Sequence, residues 1–127
     1  MQYPVAFGGG AKEYKTRGIP HSWLVGPGGK IVWKAEVGTG FASVSVVGDR
    51  LFTTGHRKGT DTVYCLSTKD GSILWKKTYD NRTHRKHRLN SFASSTPAVS
   101  KDALYVIFGN PEAVTIHALD HSGKELW

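Results

Sequence analysis

Along most of the chain, short apolar runs alternate with polar, glycine-bearing turns, and no stretch carries a sustained helical period. Residues 43–47 (Ser-Val-Ser-Val-Val) are β-rich, and Gly48-Asp49-Arg50 turns into a second run, residues 51–54. A polar loop over residues 56–60 precedes residues 62–66, and Lys69-Asp70-Gly71 leads into residues 73–75. The order then recurs: strands at 95–99, 103–108, 113–119 and 124–127, with turns at Lys101-Asp102 and Ser122-Gly123 and a loop at Asn110-Pro111-Glu112. Glycine and Asp-Gly pairs at these turns supply the positive φ that tight hairpins require. The pattern predicts two four-stranded antiparallel sheets, at 41–75 and 92–127.

The unit is a repeat. Leu24 to Trp33, Leu66 to Trp75 and Leu119 to Trp127 each pass from an apolar strand end through a glycine turn to a strand closing on tryptophan. The tryptophans lie 42 and 52 residues apart, and Phe41-Ala42-Ser43 is echoed by Phe92-Ala93-Ser94. Four short strands in about 40 residues is the spacing of a propeller blade. Trp33, Trp75, Trp127, Gly71 and Gly123 are therefore the structural repeat positions, and Trp75 is expected between two blades as a shared aromatic plate.

On the Gly-x-x-x-Trp endings of these units, residues 34–127 resemble blades of the pyrroloquinoline quinone (PQQ) repeat propellers. That family includes quinoprotein alcohol dehydrogenases and a propeller lipoprotein of outer-membrane assembly. The resemblance implies an incomplete propeller of about two blades and a periplasmic or extracytoplasmic setting. It also implies partners in the form of further blades or another protein. Residues 1–33 read differently. A short strand at Tyr3 to Phe7, helix formers at residues 11–16, Gly18-Ile19-Pro20 and a hairpin ending at Trp33 resemble the C-terminal part of thioredoxin-like proteins. That resemblance implies a β-α-β-β remnant and a cis bond at Pro20. The upstream dithiol is missing, so it implies no redox activity. The expected class is all-β dominated, with domains at 1–33 and 34–127.

Composition narrows the chemistry. With 127 residues, 39% hydrophobic and 21% charged, the chain has the make-up of one compact domain. No apolar run approaches the roughly 20 residues of a membrane span, and Met1 does not open a signal segment. The single cysteine, Cys65, excludes an internal disulfide and a CxxC pair, and it lies in a β-rich run without a neighbouring base. Lys and Arg number 17 against 10 acids, a net charge of +7 that favours anionic partners. The sharpest charge cluster is residues 82–88, where Arg82, Arg85, Lys86 and Arg88 form a possible anion contact beside His84 and His87. With no recognition helix or aromatic platform beside it, it reads as a solvated insertion more than as a nucleic-acid site.

His21, His56, His84 and His87 do not show the converging spacing of a metal site. Asn81-Arg82-Thr83 fits the short glycosylation acceptor pattern, and Gly8-Gly9-Gly10 lacks the ending of a phosphate loop. No catalytic or metal residue is assigned, and no cofactor is expected. A non-catalytic binding or scaffold module is the leading expectation, with self-association through open sheet edges. The alternative is a fragment of a quinoprotein dehydrogenase, which would need PQQ with calcium.

Overall fold

The computed structural model describes residues 5–7, 21–25, 28–40, 42–82, 93, 95–110 and 112–127. Their regular structure is all strand, arranged as three antiparallel sheets. The first holds β1 (Val5–Phe7), β2 (His21–Val25) and β3 (Ile31–Glu36) in that order. The second is a four-stranded meander of β4 (Ser45–Val47), β5 (Arg50–Arg57), β6 (Thr60–Ser67) and β7 (Ile73–Asp80). The third joins β8 (Ala98–Val99), β9 (Ala103–Gly109) and β10 (Val114–Asp120). Its fourth strand is represented by the bridge Leu119↔Glu125 and by hydrogen bonds between Ala118 and residues 126–127.

The register shows why these segments repeat. In the second sheet Cys65 opposes Trp75 and Leu66 opposes Ile73, so Leu74 is skipped in a β-bulge. In the first sheet Leu24 opposes Trp33 and Val25 opposes Ile31, skipping Val32. In the third, Leu119 opposes Glu125 and the Ala118 amide donates to the Trp127 carbonyl, skipping Leu126. A bulge bends its strand and re-aims side chains. Here it recurs at the residue before Trp33, Trp75 and Trp127.

This geometry bears on the reading of the first third. The hairpin of β2 and β3 carries the same bulge as the hairpins that close the other two sheets, so it gives no support to a thioredoxin-like piece. The boundary at 33/34 would fall inside β3. The helix expected at 11–16 and the cis bond expected at Pro20 lie outside the described residues. The loop expected at 56–60 is also shorter than its polarity suggests. Lys58 and Gly59 have φ of 49° and 77°, as a two-residue hairpin turn demands, and pairing runs up to Arg57↔Thr60.

The core sits between sheets. Trp33, Val37, Leu51 and Leu66 form one cluster, at the seam of the first and second sheets. Phe52, Val63, Cys65, Leu104, Val106, Phe108 and Leu119 form the other, between the second and third, with Trp75 and Tyr79 packed against it. Alternation along β5 and β6 explains the division: Leu51 and Leu66 face one neighbour, Phe52 and Cys65 the other. The central strands of the second sheet, β5 and β6, are buried on both faces.

Candidate functional site

Each seam is locked by a tryptophan and a glycine. A side chain built on Gly71 would overlap the Trp33 ring, and one on Gly123 would come within 2.7 Å of the Trp75 ring. Both glycines have positive φ, 73° and 88°, which carries the turn through the left-handed region. The Trp33 indole N–H donates to the Thr68 carbonyl at 2.9 Å, and the Trp75 indole to the His121 carbonyl at 2.9 Å. Each tryptophan thus lies flat on the next sheet's turn with its one polar group satisfied there. Trp75 also meets Phe52 at a centroid distance of 6.0 Å.

Further bonds tie the same neighbours. The Arg50 guanidinium donates to the His121 carbonyl at 2.5 Å, Thr54 Oγ1 to the Ser95 carbonyl at 3.1 Å and Ser45 Oγ to the Pro97 carbonyl. Ala42 and Ala93, in the two echoed tripeptides, are buried and joined by an amide–carbonyl bond of 3.3 Å.

The most chemically loaded cluster was not visible in the sequence. At the end of the second sheet that carries the Lys58-Gly59 turn, Asp61 is fully buried. His56 Nδ1 lies 2.7 Å from Asp61 Oδ1, and Asn81 Nδ2 donates to Asp61 Oδ2 at 2.5 Å and to the Gly109 carbonyl at 3.4 Å. Both partners of that nitrogen are acceptors, which fixes the amide orientation and leaves the buried Asn81 Oδ1 without a donor. The network pins the ends of β5, β6, β7 and β9 together. The pattern Lys-Gly between two Thr- and Val-rich runs was the available clue: it signals a tight turn, and a tight turn carries its flanking polar residues into the sheet.

A second polar cluster lies on the rim of the seam between the second and third sheets. Glu125 receives hydrogen bonds from Tyr79 at 3.2 Å and from His117 at 2.8 Å, and Lys77 stands 3.7 Å away. The His117 hydrogen bond, supported by Tyr79 and the Lys77 charge, holds the Glu125 carboxyl below its usual range. Burial, then the Glu125 charge, pushes the Tyr79 hydroxyl up.

Cys65 is buried in the core, and that burial pushes its thiol up to about 11, with the Arg50 charge opposing. A thiol held that far from ionisation is a poor nucleophile at neutral pH. Arg82 is exposed and pairs with Asp80 at 3.2 Å. Arg85, Lys86 and Arg88 lie outside the described residues. Trp33 is buried, Trp75 partly buried, and Trp127 is 66% exposed. Among the described residues, no three His, Cys, Asp or Glu side chains gather as metal ligands would. Nor is any helix among them long and apolar enough to cross a membrane.

Residues 24–127 match the family profile of the PQQ repeat described as outer membrane protein assembly factor BamB. The chain belongs to this PQQ-repeat family. The match begins within β2 and so takes in the turn and β3 of that hairpin, the last ten residues of the stretch 1–33 read from sequence as thioredoxin-like. Over 99 residues the chain is 30% identical to polyvinylalcohol dehydrogenase of Sphingopyxis sp. (strain 113P3), which covers 77% of this chain and 14% of that protein. The crystal structure of BamB from Moraxella catarrhalis superposes with a TM-score of 0.61 at 20% identity, over 84% of this chain and 30% of that one. The chain therefore spans less than a third of either relative, and the likeness to the solved structure is one of fold: an incomplete PQQ-repeat propeller.

Proposed function

We propose that this chain is part of a non-catalytic PQQ-repeat propeller that serves as a protein-binding scaffold outside the cytoplasm. The observation that carries this reading is the outer rim. The bulge ahead of each tryptophan turns one apolar residue outward per sheet: Val32 is 52% exposed, Leu74 50% and Leu126 51%. Ile31 and Ile73 beside them are also exposed. Solvent-facing apolar residues that recur in register supply what a partner polypeptide needs, since apolar side chains flanked by polar ones mark contact surfaces. The polar groups of the seams are turned to a different use, because the indoles, Thr54 and Arg50 bond the backbone of the neighbouring sheet. The family description, an outer membrane protein assembly factor, supports the same setting and role.

A second reading has one specific support, the 30% identity to a polyvinylalcohol dehydrogenase. In that reading the propeller would hold PQQ with calcium and oxidise an alcohol.

The two readings separate experimentally. A photo-reactive residue at position 74 should cross-link to another polypeptide in cells, and Leu74→Asp in the same protein should lower an independently measured affinity for that polypeptide. Titration with PQQ and Ca²⁺ should leave the thermal midpoint unchanged and support no dye reduction. A saturable midpoint shift together with alcohol-dependent dye reduction would replace the scaffold by the enzyme.

A further inference from the structure

We propose that the outer rim takes an acidic amphipathic helix of a partner polypeptide, with the helix's apolar side on Val32 and Leu74 and its carboxylates on Lys34 and Lys76. The inference rests on the scaffold reading above and names the chemistry of the partner.

Neighbouring sheets do not cover this rim. The second sheet has a sheet against each face, and Leu51, Phe52, Val63 and Leu66 are fully buried there, yet Ile73 and Leu74 stay exposed. The first sheet is docked through Trp33, which is buried, while Ile31 and Val32 beside it are exposed. Stacking of sheet on sheet fills the seams and leaves the outer strands open.

Positive charge recurs with the apolar residue. Val32 and Leu74 are the residues that the two bulges skip. Two positions on, Lys34 opposes Trp23 and Lys76 opposes Tyr64, which is the same register place in both sheets. Both lysines are exposed. The acids of these strands are engaged elsewhere: Glu36 pairs with Arg57 at 3.4 Å and Asp80 with Arg82 at 3.2 Å. Lys77 stands 3.7 Å from Glu125. Among the described residues, Lys34 and Lys76 have no acidic partner, so each outer strand sets an unneutralised cation beside exposed apolar side chains. A partner with carboxylates next to its apolar residues complements both, and charge complementarity selects it over a neutral or basic one.

The edge itself decides the form of the partner. β7 pairs with β6 alone and lies at the border of its sheet. An extended peptide could add to such an edge through its main chain. The bulge at Leu74 interrupts the ladder, however, and Lys76 and Lys77 stand on the same strand, which are the devices that blunt an edge against strand addition. Docking through side chains remains, and an amphipathic helix supplies it with apolar anchors along one face and acids beside them.

The test is fluorescence anisotropy of the whole chain with three synthetic helical peptides of equal length. One carries Leu on one face and Glu on the other, the second has Lys for Glu, and the third has Ser for Leu. The first should bind saturably, the other two at least roughly tenfold more weakly, and added salt should weaken the first. Lys34→Glu combined with Lys76→Glu should cost roughly tenfold or more, as should Leu74→Asp. Lys69→Glu combined with Lys101→Glu changes the net charge equally at exposed turns and should bind as wild type does. Circular dichroism and thermal midpoints like those of wild type confirm that each variant is folded. Equal binding of the acidic and basic peptides overturns the proposal, as does a folded Lys34/Lys76 variant that binds like wild type. An equal loss in the Lys69/Lys101 variant overturns it too, by showing an effect of net charge alone, and tighter binding of an extended acidic peptide overturns it in favour of strand addition. If the acidic peptide fails to bind while residue 74 still cross-links in cells, this inference falls and the scaffold stands. Failure of both removes both.

Discussion

Gly71 combines two demands that no other residue meets. Its φ of 73° is strained for any side chain, and the Trp33 ring occupies the space where a Cβ would go. Gly48 separates the two effects, because it has φ of 59° with nothing within 4 Å of a built Cβ. Gly48→Ala should lose only the conformational part, about 1–2 kcal/mol. Gly71→Ala should lose that and a further ~1–3 kcal/mol of overpacking against the indole. Urea midpoints of the two variants measure the difference, and equal losses would mean that the tryptophan seat adds nothing. Cys65 gives a pH signature at the same scale. Its thiol ionises near 9.0 when exposed and near 11 in the folded chain, so between these values the folded state binds the extra proton. Stability should therefore fall as pH rises from 9.0 toward 11, and Cys65→Ala should remove that part of the slope.

Among the elements, β5 and β6 hold the polar network. Asp61→Ala would strip His56 and Asn81 of their shared buried acceptor and should cost roughly 3 kcal/mol, the scale of breaking a buried hydrogen-bonded pair. Asn81→Ala should cost less, because it also removes the unpaired Oδ1. Thermal and urea denaturation of both variants give the ranking, and Asn81→Ala as the more damaging of the two would show that Asp61 is not the hub. The same network marks what could be read in advance. The turn glycines and tryptophans were legible because each follows a leucine on a strand end at nearly the same distance, four or five residues for the glycine and eight or nine for the tryptophan. The network was not, because His56, Asp61 and Asn81 are distant in sequence or buried by a turn shorter than its polarity suggests. The first sheet was missed for another reason. Ahead of Leu24, Trp23 lacks the Gly-x-x-x-Trp spacing that marks the repeat, and Ala11-Lys12-Glu13-Tyr14 are good helix formers, so local propensity spoke where the strand register could not. Only the pairing of β2 with β3 exposed the shared bulge.

Across the whole molecule, the sheets are unequal. The second has its central strands covered on both faces and is anchored by Trp33 and Trp75, while the first and third each share one described seam. In a stacked array stability is a sum of unit and nearest-neighbour terms, so the central unit opens last. Hydrogen exchange should be slowest in β5 and β6 and faster in β9, β10 and β3. Equal protection throughout would indicate one all-or-none unit.

The tryptophan lock also has a direction: the first sheet hands its indole to the second, and the second hands its own to the third. Each joint is consequently written in the same terms, and none of them identifies which unit it belongs to. A gene that duplicated or lost one such unit would bring together two new neighbours that already fit, with no compensating change on either side. The number of blades is then free to vary by recombination while the joints stay as they are. The cost of that freedom is that nothing in the lock itself counts the blades, so closure must be set by how far each joint turns.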